Sequence, residues 1–275
     1  MTMADAPHML VEIQGPIVIC TLNRPEKLNA MTQGMMDIFR EALTLLRDSD
    51  ELKVMLIRAT GRYFCAGADL KGGKKPASMT ARGIRENHRL GVYGVRAIYD
   101  EMEHIEKPIV IGHHAKCVGG GLELSLACDF RFAAESASYA FPEGLFGVLP
   151  ASNGVSRLTR LCGPHWARWL IMANKSASAD LALTIGLVHQ VFPDESFEQD
   201  LMEFCRHLAR QNGEQMGAAK VAVELAAELG RDSAAHVERM ANSALMLNPD
   251  YLERLETYLA GVGSKDKLAD AGEPA

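Results

Sequence analysis

Two isolated glutamates are the residues of this 275-residue chain best suited to acid–base chemistry. Glu123 lies between two leucines in AKCVGGGLELSLACDF (115–130), and Glu143 follows a proline in YAFPEGLFGVLP (139–150). A glutamate in apolar company is rarely buried unless it is paired or functional. Each also has a structural explanation. A helix dipole favours a carboxylate in the first turn, as at Glu123, and Glu143 could be an ordinary turn residue.

Three consecutive glycines, Gly119–Gly121, precede Glu123 at the start of a predicted helix over 122–128. The first N–H groups of a helix lack backbone partners, and glycines let a ligand atom approach them closely. Tight packing of a strand-to-helix turn explains the glycines equally well. The stretch is not a phosphate-binding P-loop, because no Gly-Lys-Ser/Thr follows, and it lacks the G-x-G-x-x-G spacing of dinucleotide sites.

A second stretch, YFCAGADL (63–70), surrounds Gly67 with small residues, and its Asp69 could simply cap a helix. Two backbone N–H groups aimed at one point form an oxyanion hole, worth roughly 3–4 kcal/mol per donor. Two carboxyl groups in an apolar pocket can have different pKa values, so that one stays protonated as an acid and the other ionised as a base. Together these features suit addition of water to a carbonyl-conjugated double bond. One carboxylate activates the water and the other protonates the α carbon.

Bulk composition excludes several classes of protein. Hydrophobic residues at 48% and charged residues at 23% are ordinary for a globular protein. A net charge of −6 without a basic block argues against a nucleic-acid partner. No apolar run approaches the roughly 18 residues of a membrane helix, and the start lacks a signal-peptide pattern, so no membrane partner is expected.

Cysteine and histidine spacing predicts neither disulfides nor a metal site. The six cysteines form no C-x-x-C pair and are expected to be reduced core residues of a cytoplasmic protein. His113 and His114 are adjacent and would point to opposite faces of a strand. We expect no bound metal and no separate cofactor.

Strands spaced by helices in the first half predict an α/β fold. The predicted strands are 17–22, 53–59, 108–114 and 130–134, with a helix over 34–47 capped by Thr32. The polar stretch 71–89 is either a loop or lid over a site or a solvated insertion. After a capped helix stopped by Gly186 and a strand over 187–192, helices are predicted at 195–210, 214–229, 233–247 and 249–260. We therefore divide the chain into a core over 1–193 and a helical region over 194–275.

Five blocks in order resemble the crotonase (enoyl-CoA hydratase/isomerase) superfamily. They are LNRPEKLNAM (22–31), GRYFCAGADL (61–70), KPIVIGHHAKCVGGGLELSLACDFRFA (107–133), FPEGLFGVLPASNGVSRLTRLCG (141–163) and ADLALTIGLVHQVFP (179–193). The resemblance covers about residues 11–258. It implies a ββα-spiral core that binds acyl-CoA, a helical C-terminal trimerisation region, a homotrimer or dimer of trimers, and an acyl-CoA thioester substrate.

The resemblance also implies roles for individual residues. The N–H groups of Ala68 and Gly120 would form the oxyanion hole, Glu123 would act on the water, and Glu143 would deliver the α proton. The resemblance implies that coenzyme A contacts Lys27, Leu28, Ala66, Asp69, Leu70, Gly119 and Pro142. We add Lys71 to these contacts because of its charge. Ala68 would also contact coenzyme A, and Lys74 or Lys75 could meet its phosphates by charge.

Three departures from the family pattern leave the substrate open. They are Ala151-Ser152-Asn153 where hydratases carry a glycine-rich run, the His113-His114 pair, and Phe141 and Phe146 bracketing Glu143. Retention of both glutamates favours an enoyl-CoA hydratase. The alternatives are a double-bond isomerase, a hydrolase, a retro-aldol lyase, or a non-catalytic acyl-CoA binder.

Overall fold

The computed structural model describes residues 7–72, 80–90 and 95–261. Its compact units are Met1–Gly213 and Glu214–Ala275. The strands are β1 (Met9–Gln14), β2 (Ile17–Leu22), β3 (Val54–Ala59), β4 (Ile109–His113), β5 (Cys117–Val118), β6 (Phe130–Ala134), β7 (Ser138–Ala140), β8 (Ala177–Ser178) and β9 (Gln190–Phe192). The α-helices are α1 (Gln33–Asp48), α2 (Ala81–Leu90), α3 (Val95–His104), α4 (Gly120–Leu126), α5 (Gly154–Ala167), α6 (Ala179–Thr184), α7 (Phe197–Ala209), α8 (Gly213–Ala226), α9 (Arg231–Met246) and α10 (Pro249–Gly261).

Within the described residues, six strands form the main sheet in the order β1-β2-β3-β4-β6-β9. Strand β1 is antiparallel to β2, and the other neighbours are parallel. The residues of β2 and β4 are buried throughout, as parallel strands covered on both faces require. The predicted bounds of β2 and β6 are confirmed. The edge strand β1 was not predicted.

Helix α1 confirms the prediction made from apolar spacing. The Thr32 hydroxyl accepts a hydrogen bond from the Met35 N–H at 3.2 Å and so caps the helix. Met35, Phe39, Leu43 and Leu46 lie on its buried face. Burial of each contributes roughly 1.5–3 kcal/mol, which anchors α1 on the sheet.

A small second sheet, in the order β5-β7-β8, brings the glycine turn and Glu143 together. Strands β5 and β7 are parallel, so their carboxyl ends lie side by side. The Gly119 N–H donates to the Ala140 carbonyl at 3.0 Å just beyond this pairing. Gly119 leads into α4, and Pro142 begins the 3₁₀ helix Pro142–Phe146 that carries Glu143.

The polar stretch 71–89 is in part helical, which corrects the expectation of a loop. Residues Ala81–Leu90 form α2, whereas Lys74 and Lys75 lie outside the described residues. Helix α4 begins at Gly120, two residues before the predicted start. The helices predicted after Gly186 are confirmed. The first compact unit extends to Gly213 and includes α7, which the sequence-based division at residue 193 had assigned to the helical region.

All six cysteines are buried with free thiols, so their prediction as core residues is confirmed. The cytoplasmic location stays a prediction. Among the described residues, no set of three His, Cys, Asp or Glu side chains is placed to hold a metal ion. In the same part of the chain, no helix has the length and apolar character needed to cross a membrane.

Candidate active site

The first candidate oxyanion donor is the N–H of Gly120 at the start of α4. The Gly119 carbonyl accepts the Glu123 N–H at 3.0 Å and therefore points along the helix. In a trans peptide the N–H points opposite to the carbonyl, so the Gly120 N–H points out of the helix. Among the described residues it has no hydrogen-bond acceptor. Gly119 makes this turn with a φ of 56°, a left-handed value that favours glycine.

The second candidate donor is the N–H of Ala68, and the same peptide geometry orients it. The Gly67 carbonyl accepts the Met31 N–H at 2.8 Å, and the Met31 carbonyl accepts the Asp69 N–H at 3.0 Å. These bonds pin the Gly67–Ala68 peptide and aim the Ala68 N–H away from Met31. Within the described part of the chain, this N–H also has no acceptor.

Backbone pairing holds the two donors close together. The Val118 N–H donates to the Cys65 carbonyl at 3.0 Å, so CAGADL runs beside β5. A Cβ built on Gly67 would lie 3.3 Å from Gly120 N, and one built on Gly120 would lie 3.5 Å from Ala68 N. The absence of side chains at both glycines therefore permits the approach of the two N–H groups.

Glu123, in the first turn of α4, is 6% exposed and hydrogen-bonded to backbone. Its Oε1 accepts the Ser152 N–H at 2.7 Å, and the Gly154 N–H is a further donor to this carboxylate. A Cβ on Gly154 would lie 2.8 Å from Oε1, so only glycine fits at this position. The interpretation of Glu123 as a solely dipole-stabilised helix residue does not account for these contacts.

Glu143 is half-buried, whereas Glu123 is buried, and it has fewer hydrogen-bond donors than Glu123. Its Oε1 lies 2.9 Å from the position of a Cβ on Gly119, directly beside the glycine turn. Its Oε2 is buried and has no hydrogen-bond partner among the described residues. An unpartnered buried carboxylate oxygen favours the protonated form.

Electrostatics distinguishes the two carboxyl groups. Burial raises the pKa of Glu143. Burial also raises the pKa of Glu123, and the charge of Glu143 adds to this increase. The N–H groups of Ser152 and Gly154 act in the opposite direction on Glu123, as does the charge of Arg157. The arrangement can therefore hold one ionised and one protonated carboxyl beside a pair of N–H donors.

The residues predicted to contact coenzyme A fall into two groups. The Ala66 N–H donates to the Leu28 carbonyl at 2.9 Å, which joins the segment of Lys27 and Leu28 to that of Ala66 and Ala68. Lys27, Leu70 and Lys71 are exposed, and Leu70 is 80% exposed despite its apolar side chain. Gly119 and Pro142 lie together beside Glu143. Their role in binding coenzyme A stays a prediction.

Asp69 is engaged with protein groups. Its Oδ2 pairs with Arg24 Nη1 at 2.8 Å, and its Oδ1 accepts the N–H groups of Lys71 and Gly72, each at 3.1 Å. The Arg24 guanidinium holds the pKa of Asp69 below its usual range. Asp69 therefore ties the residues before the undescribed segment 73–79 to the LNRPEKLNAM block.

Sequence reasoning missed the residues behind the site. The fully buried Tyr99 of α3 donates its hydroxyl to the Gly120 carbonyl at 3.0 Å. Arg157 of α5 donates to the Ser152 carbonyl at 3.0 Å. The helical spacing of Ile98, Tyr99 and Met102 was the available signal for α3, whereas nothing in the sequence links Arg157 to Glu123.

The departures from the family pattern have different locations. His113 is buried, and its Nδ1 lies 3.1 Å from the Phe132 carbonyl oxygen, whereas His114 Nε2 lies 2.7 Å from that of Gly61. Phe141 belongs to the core and Phe146 is exposed. The Ser152 N–H donates to Glu123, so the segment Ala151-Ser152-Asn153 contributes a backbone N–H group to the site.

Paired backbone N–H groups beside one buried and one half-buried carboxyl group suit acid–base chemistry on a carbonyl compound. Comparison with known proteins agrees with this class. The chain belongs to the enoyl-CoA hydratase/isomerase family, whose sequence model matches residues 12–259. It is thus a crotonase-family enzyme.

Relatives include hydratases and dehydratases of CoA esters. The chain is 27% identical over 253 residues to the crotonyl-CoA hydratase of Syntrophomonas wolfei, covering 92% of this chain and 95% of that protein. It is 37% identical over 201 residues to the carnitinyl-CoA dehydratase of Salmonella typhi, covering 72% and 71%. The crystal structure of an enoyl-CoA hydratase from Bacillus anthracis superposes with a TM-score of 0.83 at 29% identity, covering 92% and 96%. The predicted crotonase-like α/β fold is confirmed.

Proposed function

We propose that this enzyme is an enoyl-CoA hydratase that adds water across the C2–C3 double bond of an enoyl-CoA thioester. The observation that supports it best is the placement of a buried carboxyl group, Glu123, and a half-buried one, Glu143, beside paired backbone N–H groups. The two carboxyl groups differ in hydrogen bonding, and the N–H groups are those of Ala68 and Gly120. Hydration of a conjugated thioester needs an oxyanion site, a base for water and an acid for carbon.

The thioester oxygen accepts the N–H groups of Ala68 and Gly120 and takes up negative charge as the enolate forms. Glu123 removes a proton from water, the water oxygen bonds to C3, and the electron pair of the double bond moves toward the thioester oxygen. Glu143 gives its proton to C2 as the enolate collapses. Return of the proton from Glu123 to Glu143 through solvent restores the starting state.

The substrate panel that tests this activity contains saturated, enoyl and aryl-enoyl CoA esters, with products identified by mass. We expect 3-hydroxyacyl-CoA from enoyl esters and no reaction of saturated ones. A moved double bond would indicate an isomerase, a free CoA thiol a hydrolase, and an aldehyde a retro-aldol lyase. Tight binding without turnover of any ester would indicate a non-catalytic binder.

A second candidate is dehydration of a 3-hydroxyacyl-CoA with a cationic acyl group. The 37% identity to a carnitinyl-CoA dehydratase favours it over isomerisation, hydrolysis or retro-aldol cleavage. The same groups would act in reverse, with Glu143 removing the C2 proton. Including carnitinyl-CoA in the panel separates the two, because the second candidate predicts a higher kcat/KM for this ester than for crotonyl-CoA.

The assembly is proposed to be a homotrimer or a dimer of trimers. Support comes from large apolar side chains that are exposed on the helices of the second compact unit, namely Met240, Leu247, Leu252, Tyr258 and Leu259. Exposed apolar surface of this kind is typical of subunit interfaces. Sedimentation velocity would give three or six subunits if the proposal is right, and one subunit would refute it.

A further inference from the structure

The segment between Pro150 and α5 forms one wall of the Glu123 site. It delivers the Ser152 N–H to Glu123 Oε1 at 2.7 Å and presses Gly154 against the same carboxylate. Asn153 takes a left-handed conformation with a φ of 65° to make the turn. Residues other than glycine are uncommon in this region, where asparagine is among the better tolerated, and surrounding contacts hold the turn.

Those contacts come mainly from Arg157, which is 8% exposed. Its Nη1 donates to the Ser152 carbonyl at 3.0 Å, and its backbone N–H donates to the Asn153 carbonyl at 3.0 Å. Arg157 thus binds the carbonyl of Ser152, and the N–H of the same residue binds Glu123. A shift of this guanidinium would move the Ser152 N–H away from Oε1.

Two carboxylates of α3 fix the guanidinium in turn. Glu103 binds it through both oxygens, with Nε–Oε1 and Nη2–Oε2 distances of 2.6 Å. Asp100 Oδ1 accepts Nη2 at 2.9 Å and also the Asn153 side-chain amide at 3.1 Å. The planar fork of arginine serves all these acceptors at once, which a lysine ammonium cannot do.

We propose that Arg157 is a positioning residue for Glu123, holding the Ser152 N–H against Oε1 and thereby fixing the orientation and charge of the carboxylate that activates water. This role rests on the proposed function of Glu123. The Asp100–Glu103 pair supports it from α3, the helix that also contacts the oxyanion side of the site through Tyr99.

The expected change in pH dependence follows from the titratable and charged groups that face Glu123. These are Glu143 from the 3₁₀ helix, Arg157 from α5 and the Tyr99 hydroxyl from α3. The Ser152 and Gly154 N–H groups and the Arg157 charge lower the pKa of Glu123 against the raising effect of burial. Loss of the Arg157 contacts therefore raises this pKa, and the ionised fraction of Glu123 falls at a given pH.

The test compares Arg157→Lys, which keeps the charge but loses the fork, with Arg160→Lys, an exposed arginine on the same helix. We expect the acid limb of the kcat/KM profile to move up by about one pH unit in Arg157→Lys, with kcat lower by about 10- to 100-fold. The KM should stay within about threefold, because Arg157 acts on Glu123 through the Ser152 backbone. Arg160→Lys should match the parent.

Two further measurements keep the test decisive. The pKa of Glu123 is read directly by ¹³C NMR of glutamate-labelled protein, assigned with Glu123→Gln, so the positioning role is tested even if no ester turns over and the proposed function fails. If Arg157→Lys does not fold, Asp100→Asn should move the limb in the same direction by a smaller amount. A folded variant with lower kcat but an unmoved acid limb and an unmoved Glu123 titration would overturn the proposal.

Discussion

Substitution of Gly120 by alanine should remove the oxyanion site while leaving the fold intact. The added methyl would lie 3.5 Å from Ala68 N, inside the space that an oxygen bridging the two N–H groups needs. An oxyanion sits about 2.7–3.1 Å from its donors, and loss of one donor lowers kcat by about 10²- to 10³-fold. We expect a decrease of this size in enoyl-CoA hydration.

The effect on stability should be small for two opposing reasons. The methyl would lie 2.6 Å from the Met31 Cε, so the end of this flexible side chain must shift. Alanine is better than glycine by up to roughly 1 kcal/mol in a helix interior, and a smaller gain at the first residue of α4 partly offsets the shift. We expect the free energy of unfolding to change by less than about 1 kcal/mol.

The assay measures kcat for the best substrate of the panel alongside urea unfolding. Gly34→Ala is the matched control, since Gly34 lies in the first turn of α1 with nothing within 4 Å of an added Cβ. Gly121→Ala should lose stability rather than kcat, because its Cβ would lie 2.5 Å from Cys65 Cβ and disturb packing. Parent-like turnover by folded Gly120→Ala would refute the assignment of the Gly120 N–H.

Two other predictions concern the pH dependence of stability and the packing of Gly144, the residue after Glu143. Burial lowers the pKa of His113 from 6.5 to about 3, so the unfolded chain binds one more proton and stability falls as pH drops below about 6.5. At about 1.4 kcal/mol per pH unit, the stability lost through His113 by pH 5 is about 2 kcal/mol. In His113→Asn, the free energy of unfolding in urea should depend on pH with a slope shallower by one proton. An unchanged slope would contradict this prediction. Gly144→Ala should destabilise the fold by about 1–3 kcal/mol, because its Cβ would collide with the Asn174 side chain beside Glu143. Asn174→Gly, compatible with the φ of 48° at that position, should restore stability and activity in the double variant, and failure to do so would show that the contact is not the cause.

Sequence patterns predicted the elements that carry strong local signals. Residues 17–22 and 130–134 are short apolar β-branched or aromatic runs, and both strands have the predicted bounds. Thr32 before an apolar repeat predicted the start of α1. The glycine turn and Glu123 were recognised because a charged residue in apolar company is rare.

Elements without a local signal were missed or misassigned. Helix α2 is mostly polar, so its residues up to position 89 were taken as part of a loop, lid or solvated insertion. Strands β5 and β8 have two residues each, too few for an alternating pattern. The contact of Ser152 with Glu123 joins residues 29 positions apart through the backbone, and no side-chain type encodes it.

The proposed hydration depends most directly on Glu123 and Glu143. The decisive measurement is the rate of formation of 3-hydroxyacyl-CoA from crotonyl-CoA by Glu123→Gln, Glu143→Gln and the exposed control Glu135→Gln, with binding of a saturated CoA ester measured in parallel. We predict that each of the first two loses about 10²- to 10⁴-fold in kcat while still binding the ester, and that Glu135→Gln matches the parent. Parent-like hydration by both glutamine variants would contradict the roles of Glu123 and Glu143, and the absence of any water adduct from the parent would contradict the hydratase activity.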